Sequence, residues 1–245
     1  MEAAGLGLFM VSAVLFTLLL EHPASAAHAA LPDPAARRAA MGVLMGLTAI
    51  ALIYSPWGKR SGAHFNPSVT LTFYRLGKIA TWDALFYVGA QFAGGLAGVV
   101  AARAVVGAAL AHPSVRYAAT VPGGWGRRAA FAGELVISFL LMLMVLVVSN
   151  RRRVARYTGL VAGALIALYI GFEAPFSGMS MNPARTLASA LPAGLYTSLW
   201  IYFSAPILGM FLAAWLYTTL PGARVVACAK LHHDNPARCI FRCGY

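Results

Sequence analysis

The sequence has 245 residues, of which 60% are hydrophobic and only 11% are charged. Soluble domains carry about 25% charged residues, and seven acidic side chains are too few to solvate a globule of this size. The composition therefore excludes an ordinary soluble protein and predicts an all-α protein embedded in a membrane.

Six apolar stretches approach the length of about 20 residues that a helix needs to cross a bilayer. They lie near residues 3–20, 39–55, 83–106, 129–149, 157–172 and 196–219. The first stretch could be a secretory signal, because Ala24-Ser25-Ala26-Ala27 looks like a cleavage site. However, Glu2 stands where a signal peptide carries Lys or Arg, so we interpret the stretch as a retained helix.

The net charge of +12 is distributed unevenly between the segments that join these stretches. If six spans leave both termini on one side, the segments on that side carry twelve basic residues, which are Lys59, Arg60, Arg75, Lys78, Arg151, Arg152, Arg153, Arg156, Arg224, Lys230, Arg238 and Arg242. The opposite loops carry five, which are Arg37, Arg38, Arg116, Arg127 and Arg128. The positive-inside rule then predicts that both termini are cytoplasmic. We attribute the excess charge to topology and to anionic lipid headgroups, and we expect no nucleic-acid partner.

An eleven-residue pattern occurs twice, as SGAHFNPSVTL at 61–71 and as SGMSMNPARTL at 177–187. Each copy follows two apolar stretches and precedes a third, which predicts a channel domain over 1–219 built from two repeats, about 1–106 and 129–219. Since each repeat has an odd number of spans, the second repeat must enter the membrane from the opposite side. The sequence therefore predicts an inverted repeat.

The Asn-Pro segments 66–75 and 182–190 are too short to cross the bilayer, because about ten helical residues extend only about 15 Å. Pro67 and Pro183 suit the first helical position, and Asn66 and Asn182 suit the N-cap. Two half-helices that enter from opposite faces would meet at the centre and present amide donors and positive helix ends. Such a site suits a neutral solute that accepts hydrogen bonds. Its positive field opposes the passage of protons and cations. These residues therefore predict a pore for small uncharged molecules.

The two motifs resemble the signatures of the aquaporin (major intrinsic protein) family, and the resemblance covers about residues 1–219. The second motif, NPAR at 182–185, includes the family's Ala as Ala184, whereas Ser68 replaces that Ala in the first motif. The resemblance implies a right-handed bundle of six transmembrane helices with two re-entrant half-helices. It also implies a homotetramer with one pore per subunit, and transport that requires no cofactor.

The resemblance assigns roles to residues outside the motifs. Glu2 and Glu134 would accept hydrogen bonds from the non-helical segments that lead into the half-helices, although Glu2 could instead lie at the membrane surface. The backbone carbonyl of His64 would line the pore. Four positions would form the constriction, namely Met45 (with Gly46 as the alternative), Ile170, Met179 and Arg185.

The constriction matches neither common pattern of the family. Strict water channels usually have His at the Ile170 position, and glycerol channels usually have Gly. Other marker positions, Thr186, Ala190 and Tyr202-Phe203, match the pattern of water channels. We expect water to be the main solute, with a glycerol-type or other small-solute facilitator as the alternative.

The segment after the last apolar stretch, residues 220–245, contains all three cysteines of the chain. Three thiols and a nearby imidazole are enough for a four-coordinate structural zinc site, with candidate ligands Cys228, His232, His233, Cys239 and Cys243. The alternative is a cytoplasmic tail that packs Leu231, Ile240, Phe241 and its thiols against the membrane surface.

Two other classes of function require residues that differ from those of a channel. An ion-coupled secondary transporter also uses inverted repeats and broken helices, but it usually keeps a carboxylate or several ion ligands at the midplane. The sequence contains no arrangement of residues typical of a membrane enzyme. The high Ala and Arg content favours a bacterial source, and hence the inner (cytoplasmic) membrane.

Overall fold

The computed structural model describes residues 1–219, 225–233, 235, 239–241 and 243, so Arg224, Arg238 and Arg242 lie outside the described residues. The described residues form helices and no β-strand. The eight principal helices are α1 (Glu2–Glu21), α2 (Pro34–Tyr54), α3 (Pro67–Arg75), α4 (Thr81–Val106), α5 (Gly126–Ser149), α6 (Thr158–Phe172), α7 (Pro183–Ala193) and α8 (Leu199–Thr219). Shorter helical segments are Ala26–Ala30, Pro56–Ser61, Gly107–Ala111, Arg116–Ala118, Ala155–Tyr157 and Ala174–Ser177.

Six of the eight helices are long and apolar enough to cross a membrane, as the sequence predicts. Their bounds differ from the apolar stretches by a few residues, and most at the start of α2. This helix begins five residues before the stretch 39–55, because Asp33 caps it by accepting the N–H groups of Ala35 and Ala36 at 3.2 and 3.0 Å. Its first turn contains Arg37, which is held there by an ion pair with Glu21 at 3.1 Å.

The helices pack with the symmetry that an inverted repeat requires. α1 packs on α4, and α5 packs on α8, which is the equivalent pair in the second repeat. α2 packs on its own equivalent, α6. There a Cβ on Gly46 would lie 2.6 Å from the carbonyl oxygen of Gly163, and a Cβ on Gly163 would lie 2.6 Å from that of Gly46. This reciprocal contact is what a two-fold axis between the repeats produces.

Small residues allow the helix pairs to approach closely, as expected for helices in a membrane. A Cβ on Gly7 of α1 would lie 2.9 Å from the carbonyl oxygen of Gly94 on α4, and one on Gly98 would clash with that of Gly7. In the second repeat, Gly209 of α8 lies equally close to the backbone of α5 at Leu135. The half-helices α3 and α7 then fill the centre of the bundle, where α3 packs on α4 and α8 and α7 packs on α4.

Candidate functional site: the transmembrane pore

The two half-helices are preceded by backbone in an unusual conformation. Each lead-in follows a short helix that ends at Ser61 or Ser177, and its backbone is irregular over 62–66 and 178–182. Positive φ angles of 46° to 98° occur in these segments at Gly62, Ala63, Phe65, Gly178, Met179 and Met181. A residue other than Gly pays about 1 kcal/mol or more for this conformation, so both segments require partners that hold them.

Glu2 supplies such partners for the first lead-in. Its Oε1 accepts hydrogen bonds from Ser61 Oγ at 2.7 Å and from the backbone N–H of His64 at 3.3 Å. Its Oε2 accepts the N–H of Phe65 at 2.6 Å and Gln91 Nε2 at 2.8 Å. Glu2 is only 4% exposed, so the alternative of a side chain at the membrane surface is wrong.

Glu134 holds the second lead-in in the equivalent way. Its Oε1 accepts Ser177 Oγ at 2.8 Å and the N–H of Ser180 at 2.6 Å, and its Oε2 accepts the N–H of Met181 at 2.7 Å. Two tyrosines add a matching pair of bonds, in which the hydroxyl of Tyr87 donates to the carbonyl of Ser61 and that of Tyr202 to the carbonyl of Ser177. The carboxylates therefore face the N–H groups of the lead-ins that the resemblance assigns to them.

The ends of the half-helices meet through their capping asparagines. Asn66 Oδ1 accepts the N–H of Ser68 at 2.8 Å, and Asn182 Oδ1 accepts that of Ala184 at 3.0 Å. Asn66 Nδ2 donates to the carbonyl of Met181 at 2.7 Å, and Asn182 Nδ2 donates to the carbonyl of Phe65 at 2.8 Å. Since an amide nitrogen carries two hydrogens, each Asn keeps a second donor after this exchange.

A cavity of about 450 Å³ passes both asparagines. It is lined, among others, by His64, Met45, Ile170, Met179 and Arg185, which are the positions predicted for the pore and its constriction. Gly46 does not line the cavity, since it packs on Gly163, so the geometry favours Met45 over that alternative. At one end, which we call the tail-side mouth, the wall consists of Leu52 and Ile53 from the end of α2 together with Leu231.

The lead-ins present carbonyl groups that the protein itself leaves open. None of the hydrogen bonds between described residues ends on the carbonyl oxygens of Ala63, His64, Met179 or Ser180. Buried carbonyls without a protein partner are normally hydrogen-bonded to water, and irregular backbone at membrane depth is tolerated where it lines a water-filled cavity. The cavity therefore offers a row of acceptors on either side of the two Asn donors.

Arg185 stands in the wall of the cavity without a carboxylate. The one ion pair among the described residues joins Arg37 and Glu21, whereas Arg185 donates Nη1 to Thr120 Oγ1. Thr120 belongs to the connection between α4 and α5, which has no periodic pattern, so sequence reasoning does not find it. At the four positions predicted for the constriction, the wall thus combines the guanidinium of Arg185 with the three apolar side chains of Met45, Ile170 and Met179.

Two polar side chains of the first motif have surroundings that the sequence does not indicate. The hydroxyl of Ser68 is buried and has no hydrogen-bond partner among the described residues, so it does not bond back to its helix. The imidazole of His64 lies between Thr70 Oγ1 at 3.0 Å and the carbonyl of Ala229 at 2.7 Å, and this second contact links the first lead-in to the tail.

The tail brings four predicted metal ligands together. One ligand atom from each of Cys228, His233, Cys239 and Cys243 lies within 4.8 Å of all the others. The sulfurs of Cys228 and Cys239 are 3.5 Å apart, close to the roughly 3.8 Å that a tetrahedral zinc with Zn–S bonds of about 2.3 Å requires. His232 is outside this group because its ring packs edge-on against Tyr54, with ring centroids 4.9 Å apart. Its assignment as a ligand is therefore wrong, and His233 is the imidazole of the cluster.

The surroundings shift the pKa values of three residues of the cluster in different directions. Burial raises the pKa of the Cys228 thiol above its ordinary value. At Cys239 burial acts in the same direction but is outweighed by hydrogen bonds from the N–H of Phe241 and from the neighbouring thiols, so that its pKa is lowered. Burial and the positive charge of Lys230 lower the pKa of His233, which keeps its imidazole neutral. All three cysteines are free thiols.

Two inverted repeats, half-helices that meet end to end and a cavity with open donors and acceptors define a passive membrane channel for small solutes, and not an enzyme. The chain belongs to the major intrinsic protein family, whose model matches residues 2–217.

The chain is similar to individual aquaporins in sequence and to an aquaglyceroporin in fold. The chain is 35% identical to aquaporin NIP2-3 of Zea mays over 230 residues, which cover 92% of this chain and 73% of that protein. It is 36% identical to aquaporin NIP1-3 of Oryza sativa subsp. japonica over 179 residues, or 73% of this chain and 60% of that protein. The X-ray structure of the aquaglyceroporin from Plasmodium falciparum has the same fold, with a TM-score of 0.71 over 89% of this chain and 93% of that chain at 18% identity.

Proposed function

We propose that water is the main solute of this channel and that it passes in single file between Asn66 and Asn182. The observation that carries the proposal is the reciprocal exchange of amide bonds between the half-helices, which aims the remaining amide donor of each Asn at the cavity. A water molecule at that point donates to the open carbonyls of His64 and Ser180 and accepts from the amides. The positive ends of α3 and α7 oppose protons and cations there.

We assign selection to Met45, Ile170, Met179 and Arg185. Three apolar side chains offer no hydrogen bonds, so this wall discriminates by width more than by polarity. Arg185 supplies the donors that hold a passing oxygen, and its charge repels cations. A glycerol-type facilitator is the second candidate, and the apolar character of three of the four side chains is the observation that favours it.

Stopped-flow light scattering of liposomes that contain the purified protein separates these candidates. We expect rapid, non-saturating water flux that does not depend on ion gradients, and glycerol and urea fluxes close to those of protein-free liposomes. Glycerol flux that clearly exceeds this background would favour the facilitator. Saturable flux driven by a proton gradient would reject a channel and support a secondary transporter.

The remaining parts of the proposal concern the context of the pore. We infer that residues 1–219 form the channel domain and 220–245 a cytoplasmic tail, that both termini are cytoplasmic, and that four chains assemble with one pore each. The prediction of a bacterial inner membrane rests on Ala and Arg content alone, and the two aquaporins named above are plant proteins. No cofactor takes part in transport, and we assign a structural role to zinc in the tail.

A further inference from the structure

The tail lies against the first lead-in at the tail-side mouth of the pore. Leu231 donates its N–H to the carbonyl of Gly62 at 3.1 Å, and Ala229 accepts His64 Nε2 at 2.7 Å. The ring of Phe241 is stacked on that of His64, with centroids 5.9 Å apart and an angle of 6° between the planes. A further anchor is the N–H of Ala227, which donates to Asn150 Oδ1 at the end of α5 at 2.6 Å.

Gly62 is the point on which the tail rests. A Cβ at this position would lie 3.1 Å from the ring of Phe241 and 3.3 Å from the carbonyl oxygen of Ala229. The backbone of the tail therefore packs directly on the backbone that begins the first lead-in, and no space separates the two.

Leu231 is the tail residue that enters the cavity. Its side chain is only 6% exposed and belongs to the same apolar cluster as Ile53, Val145 and Ala162, which also line the cavity. A leucine here removes width from the mouth and adds no hydrogen-bonding group. In a single-file pore such a side chain obstructs flux, and hydrophobic constrictions also close pores by excluding water.

Candidate metal ligands stand on both sides of Leu231 in the sequence. Cys228 lies three residues before Leu231, and His233 lies two residues after it. A metal ion bound by both therefore closes a short loop with Leu231 at its apex, while Cys239 and Cys243 fix the neighbourhood of Phe241. Ligand geometry and the position of the obstructing side chain are thus coupled through very few bonds.

We propose that Cys228, His233, Cys239 and Cys243 bind one Zn²⁺ and that the bound ion holds Leu231 in the tail-side mouth, so that zinc closes the channel. This inference rests on the proposed channel function and adds its regulation. When Zn²⁺ binds, each coordinating thiol releases one proton to become a thiolate, and no atom is oxidised or reduced. Loss of zinc frees the loop around Leu231 and opens the mouth.

The test combines zinc content with flux in liposomes containing the full-length protein. We expect one zinc ion per chain and, on substitution by Co²⁺, the ligand-field absorption of a tetrahedral thiolate site. If the open mouth is a minor state of about 10%, a membrane-permeant chelator raises water permeability about tenfold, and added Zn²⁺ reverses the increase.

Three variants distinguish a gate from a merely structural metal. Leu231→Ala should bind zinc normally but show high permeability both with and without chelator, whereas Cys239→Ser should lose zinc and show the same high permeability. Ile240→Ala is the matched control, because Ile240 adjoins Cys239 but is 40% exposed, and it should behave like the wild type.

The outcomes keep the two proposals apart. Absence of stoichiometric zinc, or equal and fast water flux in every variant with and without chelator, would overturn the zinc gate and leave the channel function in place. Absence of flux in all variants, including Leu231→Ala with chelator, would overturn the channel function and this inference with it.

Discussion

At the scale of single residues, two buried glutamates accept hydrogen bonds from the backbone that lines the cavity. Each lead-in turns its carbonyls towards the cavity by adopting positive φ angles, which leaves its N–H groups on the opposite side without helix or sheet partners. Glu2 and Glu134 accept these N–H groups. The open carbonyls that line the cavity thus exist because a carboxylate satisfies the other side of the same backbone.

Replacement of Glu134 by Gln tests this dependence. The Gln side chain has nearly the same shape, but its NH₂ group would face the N–H of either Ser180 or Met181, and one buried donor would lose its acceptor. We expect the free energy of unfolding to fall by about 2 kcal/mol and water permeability to decrease. Thermal unfolding in detergent and stopped-flow flux measure the two effects. Asp83→Asn, at an exposed position in the first turn of α4, is the control, and equal melting temperatures for both variants would contradict the role of Glu134.

Arg185→Val tests the electrostatic barrier at the constriction. A unit charge about 4 Å from a passing cation contributes about 4 kcal/mol at an effective dielectric constant of about 20, which exceeds the roughly 1.4 kcal/mol that corresponds to a tenfold change in rate. We expect proton and sodium leak to rise at least about tenfold while water flux persists. A pH-sensitive dye trapped in liposomes reports the proton leak. The control is Arg128→Val, which removes an exposed charge from the start of α5 and should leave the leak unchanged. If Arg185→Val does not increase the proton and sodium leak, the barrier lies elsewhere.

At the scale of helices, the crossing of α2 and α6 fixes how the two repeats are joined. Gly46→Ala would place a Cβ 2.6 Å from the carbonyl oxygen of Gly163 and 3.2 Å from the Cβ of Ala167. We expect the helices to separate and the free energy of unfolding to fall by about 1–3 kcal/mol. Gly89→Ala is the matched control, because no atom lies within 4 Å of its new Cβ. In the control, the better helix propensity of Ala should stabilise α4 by about 0.5–1 kcal/mol. The melting temperature should therefore fall for Gly46→Ala and rise for Gly89→Ala. Shifts of the same sign would contradict the close crossing of α2 and α6.

The helices and their motifs were predictable to different degrees, for physical reasons. Apolar runs and the Asn-Pro caps follow local rules, so the six spans and both half-helices were predicted to within a few residues. The start of α2 was not, since the cap of Asp33 and the ion pair of Arg37 extend it beyond its apolar core. Thr120 beside Arg185 and the contact of Ala229 with His64 join distant parts of the chain through irregular backbone, for which a sequence has no periodic signal.

At the scale of the whole molecule, the inverted repeat makes the two halves of the pore alike, but the tail contacts the first lead-in and leaves the second without an equivalent contact among the described residues. The imidazole of His64 binds the carbonyl of Ala229, whereas the equivalent Ser180 donates its hydroxyl to the carbonyl of Asn182. The channel therefore has two different mouths, and the side on which the tail lies decides which compartment can regulate it. The distribution of basic residues predicts that this side is the cytoplasm.

The chain offers a direct test of this orientation, because its three cysteines, Cys228, Cys239 and Cys243, all lie in the tail. After zinc removal, a membrane-impermeant maleimide should label the wild type in inside-out vesicles and leave it unlabelled in right-side-out vesicles. A variant with all three cysteines changed to Ser and with Ser114→Cys, at an exposed position between α4 and α5, should show the reverse pattern. Labelling of the native thiols from the outside would place the tail, and with it the proposed zinc gate, in the other compartment, and would show that the positive charges do not set the topology of this protein.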